Sequence, residues 1–190
     1  MPTSIRQVQL PIETERLTLR HSVDTDIDAT FAFQGSDEIT RFVSYSTRTR
    51  DKVREVLEQR TSFRAIEKDG DQMVLTVVER ESDSVIGDMH FWVTSFEHKQ
   101  AEFGYIFHPD FSGKGYATEA SRAVLDILFS IYGMHRVIAE CDVRNAASYR
   151  LMERVGMRRE AHFVENAWFK GEWSSSYIYA MLADEWKALK

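Results

Sequence analysis

Between Gln72 and Pro109 three strand patterns follow one another with no helix between them. The third runs straight into a glycine-rich turn and the strongest helix pattern of the chain. QMVLTVVE is dense in β-branched residues, SVIGDMHFWVT repeats the pattern after the turn ESDS, and KQAEFGYIFHP is stopped by Pro109. Strands joined by such short turns pair antiparallel. The helix beyond the turn carries Ala117, Ala120, Val124, Ile127, Leu128 and Ile131 on one stripe, with Glu119, Arg122, Asp126 and Ser130 facing away and Gly133 past its end. The next segment, HRVIAECDV, is mostly apolar, as a central strand covered on both faces is.

The flanks complete the order. TERLTLRHS alternates as a strand over 15–21. Asp24 or Thr25 can cap a helix carrying Ile27, Thr30, Phe31 and Gln34 and ending near Gly35. RDKVREVLEQRTSFRAIEKDG places Val53, Val56, Leu57, Arg60 and Phe63 at helical spacing. RNAASYRLMERVG is a short helix between an Asn145 cap and Gly156, and the C-terminal segment is two long strands joined at FKGEW. This order predicts one α/β (α+β) domain over residues 1–190, with residues 1–11 as a loose leader. Its mixed, mostly antiparallel sheet has about seven strands and is flanked by about four helices.

Bulk properties narrow the function. A chain of 190 residues with 24 basic and 30 acidic side chains has a net charge of −6, which argues against a general nucleic-acid binder. It suits a cationic acceptor. Cys141 is the single cysteine, so no internal disulfide forms, which fits a reducing, cytoplasmic compartment. No apolar run approaches the roughly 18 residues of a membrane span, and the six histidines show no tight metal-ligand spacing.

The turn HPDFSGKGYATEA has the chemistry of an anion site. Free N–H groups of a first helical turn and the helix dipole favour negative charge, and Gly113 and Gly115 let the backbone approach closely. It fits neither a P-loop, because the lysine lies between the glycines, nor a dinucleotide fingerprint, because the third glycine is missing. On spacing alone, a tight turn without a ligand remains an equal alternative.

FGYIFHPDFSGKGYATEA resembles the acetyl-CoA-binding motif of the GCN5-related N-acetyltransferases (GNAT), Gln/Arg-x-x-Gly-x-Gly/Ala, laid on Ser112 to Ala117. The match holds at Gly115 and Ala117 and departs at Ser112. IETERLTLR, the Asn-x-x-Ser helix NAASYRLMERVGM and the hairpin FKGEWSSSYIYAML are similar to the RimJ/RimL-like (ribosomal-protein alanine acetyltransferase) branch. That branch often has an aspartate after the tryptophan, where this chain has Ser174, Ser175 and Ser176. The resemblance implies a splayed strand pair that holds acetyl-CoA. The backbone of Ile106, Phe107 and His108 would meet the pantetheine. Ser112, Gly113, Lys114, Gly115, Tyr116, Ala117 and Thr118 would meet the pyrophosphate, and Asn145 would contact the cofactor. The acceptor would be a primary amine, on a small molecule or a peptide N-terminus. No metal is implied, and a homodimer is allowed.

Acetyl transfer from a thioester needs a neutral amine, donors for the tetrahedral oxyanion and help for the leaving thiolate. N–H groups near Ile106 and Phe107 are candidate oxyanion donors. Glu140, the carboxylate of an otherwise apolar strand, is the first candidate base; Glu102 is second and Glu165 third. The tyrosine acid used by many family members falls on Met152, so Ser148 is the candidate partner of the sulfur. Each has a structural alternative: a solvent-facing strand end for Glu140, a strand-start carboxylate for Glu102, an ordinary first-turn serine for Ser148. Phe91, Trp92 and Trp168 are candidates for the acceptor pocket, and Cys141 reads as buried and inert. A non-catalytic acyl-CoA-binding module is the competing function, which the missing tyrosine, Ser112 and the serine triplet would permit.

Overall fold

The structure is a computed structural model that describes residues 7–60 and 66–190. Eight strands form one sheet: β1 (Ile12–Glu13), β2 (Leu17–Arg20), β3 (Gln72–Glu79), β4 (Ser84–Ser95), β5 (Gln100–Phe107), β6 (Arg136–Asp142), β7 (Arg158–Phe169) and β8 (Glu172–Leu182). Their spatial order is β1-β2-β3-β4-β5-β6-β8-β7, and every neighbouring pair is antiparallel except β5–β6. The helices are α1 (Ile27–Gln34), α2 (Asp37–Thr40), α3 (Arg50–Arg60), α4 (Tyr116–Asp126), α5 (Ala146–Arg154) and α6 (Ala183–Ala188). The mixed α/β expectation holds, with one strand and two helices more than the sequence patterns display. β1, α2 and α6 are each too short to show a period.

Strand alternation sorts the side chains into two layers. Ala101 and Phe103 of β5 and Val137, Ala139 and Cys141 of β6 join Met89, Phe91 and Val93 of β4 in the main core. Ala120, Val124 and Leu128 of the α4 segment and Leu151, Met152 and Val155 of the α5 segment close it. Burying each such side chain contributes about 1.5–3 kcal/mol. β3 is buried along nearly its whole length on both faces, which is why its sequence is a continuous apolar run. The opposite face of the sheet is covered by α1 and α3, with Phe33, Val53 and Leu57 buried there.

Three details depart from expectation. Residues 7–11 are not loose, because Val8 and Leu10 pack against the core. On α1 the buried apolar residue is Phe33, whereas Phe31 is 36% exposed and lies where a Cβ at Gly35 would meet its ring at 2.5 Å. The α4 segment ends in a π-turn over Ile127–Ile131, with Tyr132 N–H donating to the Ile127 carbonyl at 3.0 Å. Phe63 lies outside the described residues. Among the described residues, no helix is long and apolar enough to cross a membrane.

Candidate active site

β5 and β6 pair only from Gln100–Glu102 to Arg136–Ile138 and then part. Beyond that point β5 stays bonded to β4 as far as Phe107, and β6 stays bonded to β8 as far as Asp142. The result is a wedge-shaped split with unpaired backbone edges. His108 N–H donates to the Ile86 carbonyl at 2.8 Å, so it faces β4. By alternation Ile106 has the same phase, and the backbone groups of Tyr105 and Phe107 turn to the split. Of the expected backbone trio, Phe107 therefore faces the split, while the main chains of Ile106 and His108 are occupied within the sheet. Ile106 still lines the cleft, whereas the His108 ring accepts the Asp110 N–H at 3.3 Å.

The glycine turn sits at the wide end. Gly113 and Gly115 have φ of +77° and +83°, a conformation that costs any residue with a Cβ. Gly115 is the N-cap of α4 and no side chain caps that helix, leaving first-turn N–H groups for an anion. Arg16 braces the turn: its Nη1 donates to the Lys114 carbonyl at 2.8 Å, its Nε to Glu119 Oε2 at 2.8 Å, and its guanidinium lies 4.8 Å from the Tyr116 ring centre. Thr14 Oγ1 donates to Glu119 Oε1 at 2.6 Å. Glu119, expected to face away, is thus tied into the loop support. Burial pushes its carboxyl up, but the hydrogen bonds from Thr14 and Arg16 outweigh burial and hold it below the usual range.

The cleft measures about 1510 Å³, larger than the roughly 300–1,000 Å³ of common ligand pockets and roomy enough for an extended cofactor. Ser112, Gly113, Gly115, Tyr116, Ala117, Thr118 and Asn145 line it; Lys114 does not, and its ammonium lies over the Phe111 ring at 5.3 Å. The cations of the cleft carry no signal in the local sequence. Arg16, Arg122 and Arg154 also line the cleft, and Arg154 Nε donates to Thr118 Oγ1 at 3.2 Å. They supply the positive charge that Ser112 cannot. An uncapped helix start, glycines at positive φ, three arginines and an open strand edge together fit a CoA-type diphosphate and its amide-rich arm.

Opposite the turn, Asn145 Oδ1 caps α5 by accepting the Ser148 N–H at 3.2 Å. Ser148 Oγ is not satisfied by backbone; it lies 2.7 Å from the Tyr105 hydroxyl. Met152, at the position of the family's tyrosine, is 1% exposed and is a core residue. Tyr149 points away and packs edge-on against Tyr177. Burial pushes the Cys141 thiol up to about 11, consistent with an inert side chain. Ser174 Oγ donates to Asp142 Oδ2 at 2.8 Å, so β6 supplies a carboxylate beside the serine triplet.

The candidate bases lie on the face that α1 and α3 cover, apart from the cleft lining. Glu102 stands at the last paired position and Glu140 two residues past its partner Ile138, so both carboxylates flank the start of the split. Glu140 is exposed, whereas burial, reinforced by the charge of Glu140, pushes Glu102 up to about 7. A Cβ at Gly104, next on the same face of β5, would meet nothing within 4 Å, so space opens beside Glu102. Glu165 is exposed at φ +46°, in an irregular stretch of β7. Phe91 is fully buried in the opposite layer and Trp168 is 64% exposed, so alternation leaves only Trp92 of the expected aromatic trio on the Glu102 face. Among the described residues, no group of three or more His, Cys, Asp or Glu is placed to hold a metal.

The sequence model of the acetyltransferase (GNAT) domain family matches residues 16–158. The chain belongs to the GNAT acetyltransferases. It is an acetyl-CoA-dependent N-acetyltransferase. This GNAT chain is 32% identical over 175 residues to the uncharacterized N-acetyltransferase YnaD of Bacillus subtilis, covering 92% of this chain and 98% of that one. A GNAT-family acetyltransferase from Bacillus anthracis superposes with a TM-score of 0.81 at 28% identity, over 92% of this chain and 99% of the other. Spermidine N-acetyltransferase from Vibrio cholerae, solved with CoA and spermine, shares the fold with a TM-score of 0.78 at 22% identity, over 92% and 99% of the two chains.

Proposed function

We propose that this single-domain enzyme acetylates a small primary amine carrying further positive charge, with Glu102 as general base and Ser148 as hydrogen-bond donor to the leaving sulfur. The observation that carries the proposal is the pair Glu102 and Glu140 at the start of the split. A carboxyl near neutrality is matched to taking a proton from an amine, and two carboxylates favour a cationic acceptor. The order of the two candidates thus reverses: Glu140 is exposed and tunes Glu102 by its charge, rather than acting itself.

Bound acetyl-CoA supplies the activated acetyl thioester. Arg16, Arg122, Arg154 and the start of α4 would hold its phosphates. The outward backbone of Tyr105 and Phe107 would orient the arm and offer N–H donors where negative charge develops on oxygen. Glu102 accepts the amine proton, directly or through water, at its carboxylate oxygen. The Ser148 hydroxyl donates toward the sulfur. A cytosolic location suits the buried free thiol of Cys141.

A RimJ/RimL-like role on a peptide N-terminus is the second reading, favoured by the Asn145-x-x-Ser148 turn. An amine panel read by free-thiol release separates the two. Turnover of di- and polyamines above neutral monoamines and peptides supports the first reading, and preferred turnover of peptides supports the second. Tight acetyl-CoA binding without thiol release for any amine would overturn both. Light scattering on the same samples tests the homodimer allowed by the resemblance.

A further inference from the structure

Tyr105, whose backbone faces the split, also brings its side chain to Ser148. Tyr105 Oη lies 2.7 Å from Ser148 Oγ and 3.3 Å from the Ser148 carbonyl. Tyr105 comes from β5, one side of the split, and Ser148 from α5, so the contact joins that strand to the helix. The Tyr105 ring is held between Phe103 and Phe107, with ring centres 6.2 and 6.3 Å away.

Each hydroxyl has one proton to give. If Ser148 gave its proton to Tyr105, none would remain for a sulfur. Tyr105 would then have to use the longer contact to a carbonyl, which already accepts a bond within the helix. The phenol is the more acidic donor, and the shorter contact is the one to the serine oxygen. Burial raises the Tyr105 hydroxyl further and keeps it protonated at working pH.

We propose that Tyr105 is a positioning residue: it donates its only hydroxyl proton to Ser148 Oγ, which leaves the Ser148 hydrogen free to point into the split at the leaving sulfur. This rests on the reading of Ser148 as sulfur donor. It also explains how a chain with Met152 in its core aligns a donor there without a tyrosine at that position. No covalent step is involved; the serine hydrogen stabilises the thiolate, which takes its proton from solvent.

The test uses the full-length enzyme saturated with coenzyme A. The thiol of bound CoA is titrated by the ultraviolet absorbance of its thiolate, with the CoA-free enzyme subtracted to remove Cys141. Tyr105→Phe and Ser148→Ala should each raise the apparent thiol pKa by about half a pH unit to one unit, the worth of one hydrogen bond. The double variant should go no higher than either single one. With acetyl-CoA, both single variants should lower kcat with little change in KM for acetyl-CoA. Should Tyr105→Phe titrate like wild type while Ser148→Ala shifts, Tyr105 has no such role and the Ser148 reading survives. If Ser148→Ala itself leaves the thiol unchanged, the Ser148 reading fails and takes this inference with it. Full additivity in the double variant would also overturn the inference, since it would mean two independent effects. Ser148→Thr, which keeps the hydroxyl, should restore most of the wild-type titration and guards against misfolded alanine variants.

Discussion

Glu102 stores a pH-dependent cost in the fold. Its carboxyl rises from the usual 4.5 to about 7, first because it is buried and then because Glu140 is near. In the unfolded chain it ionises at its ordinary value. As pH climbs from about 4.5 to 7, the unfolded state releases the proton first, so native stability falls, and above 7 the penalty stays constant. The full difference is worth about 3 kcal/mol, and solvent access to this half-buried group reduces it to about 2 kcal/mol. Glu102→Gln never titrates. It should therefore gain about 2 kcal/mol on wild type between pH 4.5 and pH 8.5, read as a relative shift of about 1 M in urea midpoint. Glu140→Gln should recover a smaller share, because burial is the larger cause. If the difference between Glu102→Gln and wild type is the same at both pH values, Glu102 is not held near neutrality, and its assignment as base loses its support.

Other perturbations probe separate parts of the account. Gly115→Glu places a side chain at φ +83° and a negative charge at the start of α4, so calorimetry should show acetyl-CoA binding abolished while circular dichroism stays native. Asp88 and Arg60 form a buried ion pair at 2.7 Å, and among the described residues Asp88 Oδ1 and Arg60 Nε have no hydrogen-bond partner. Asp88→Ala should cost about 3–5 kcal/mol in chemical denaturation, and Arg60→Met with Asp88→Leu should recover only part of it, because buried Gln34 loses its acceptor. Met152→Tyr should not raise kcat, and overpacking its fully buried site should lower stability by about 1–3 kcal/mol.

What was legible in the sequence followed from local chemistry. The runs β3 to β6 are unambiguous because β-branched residues and short turns leave no helical alternative, and Gly113 and Gly115 mark a turn that few other residues could make. Long-range polar pairing was hidden. Thr30 and Gln34 lie buried on α1, and Gln34 meets Asp88, 54 residues away, whereas Phe31 stays at the surface. No periodicity reveals that exchange. Arg16 reaches Glu119 across 103 residues, and Tyr105 meets Ser148 across 43. The cation set of the cleft and the support of Ser148 therefore appear only when the chain is folded. The fate of the Ile106 and His108 backbone depended on the phase of the β4–β5 ladder, which the sequence does not state.

Glu102, at the start of the split, is proposed to take the proton from a cationic amine. The pH dependence of kcat/KM for the best amine of the panel, measured by thiol release in wild type and Glu102→Gln, tests it most directly. Wild type should gain activity as pH rises through about 7, and the variant should be slower and lack that limb. A Glu102→Gln enzyme that keeps both the rate and the limb would contradict the account.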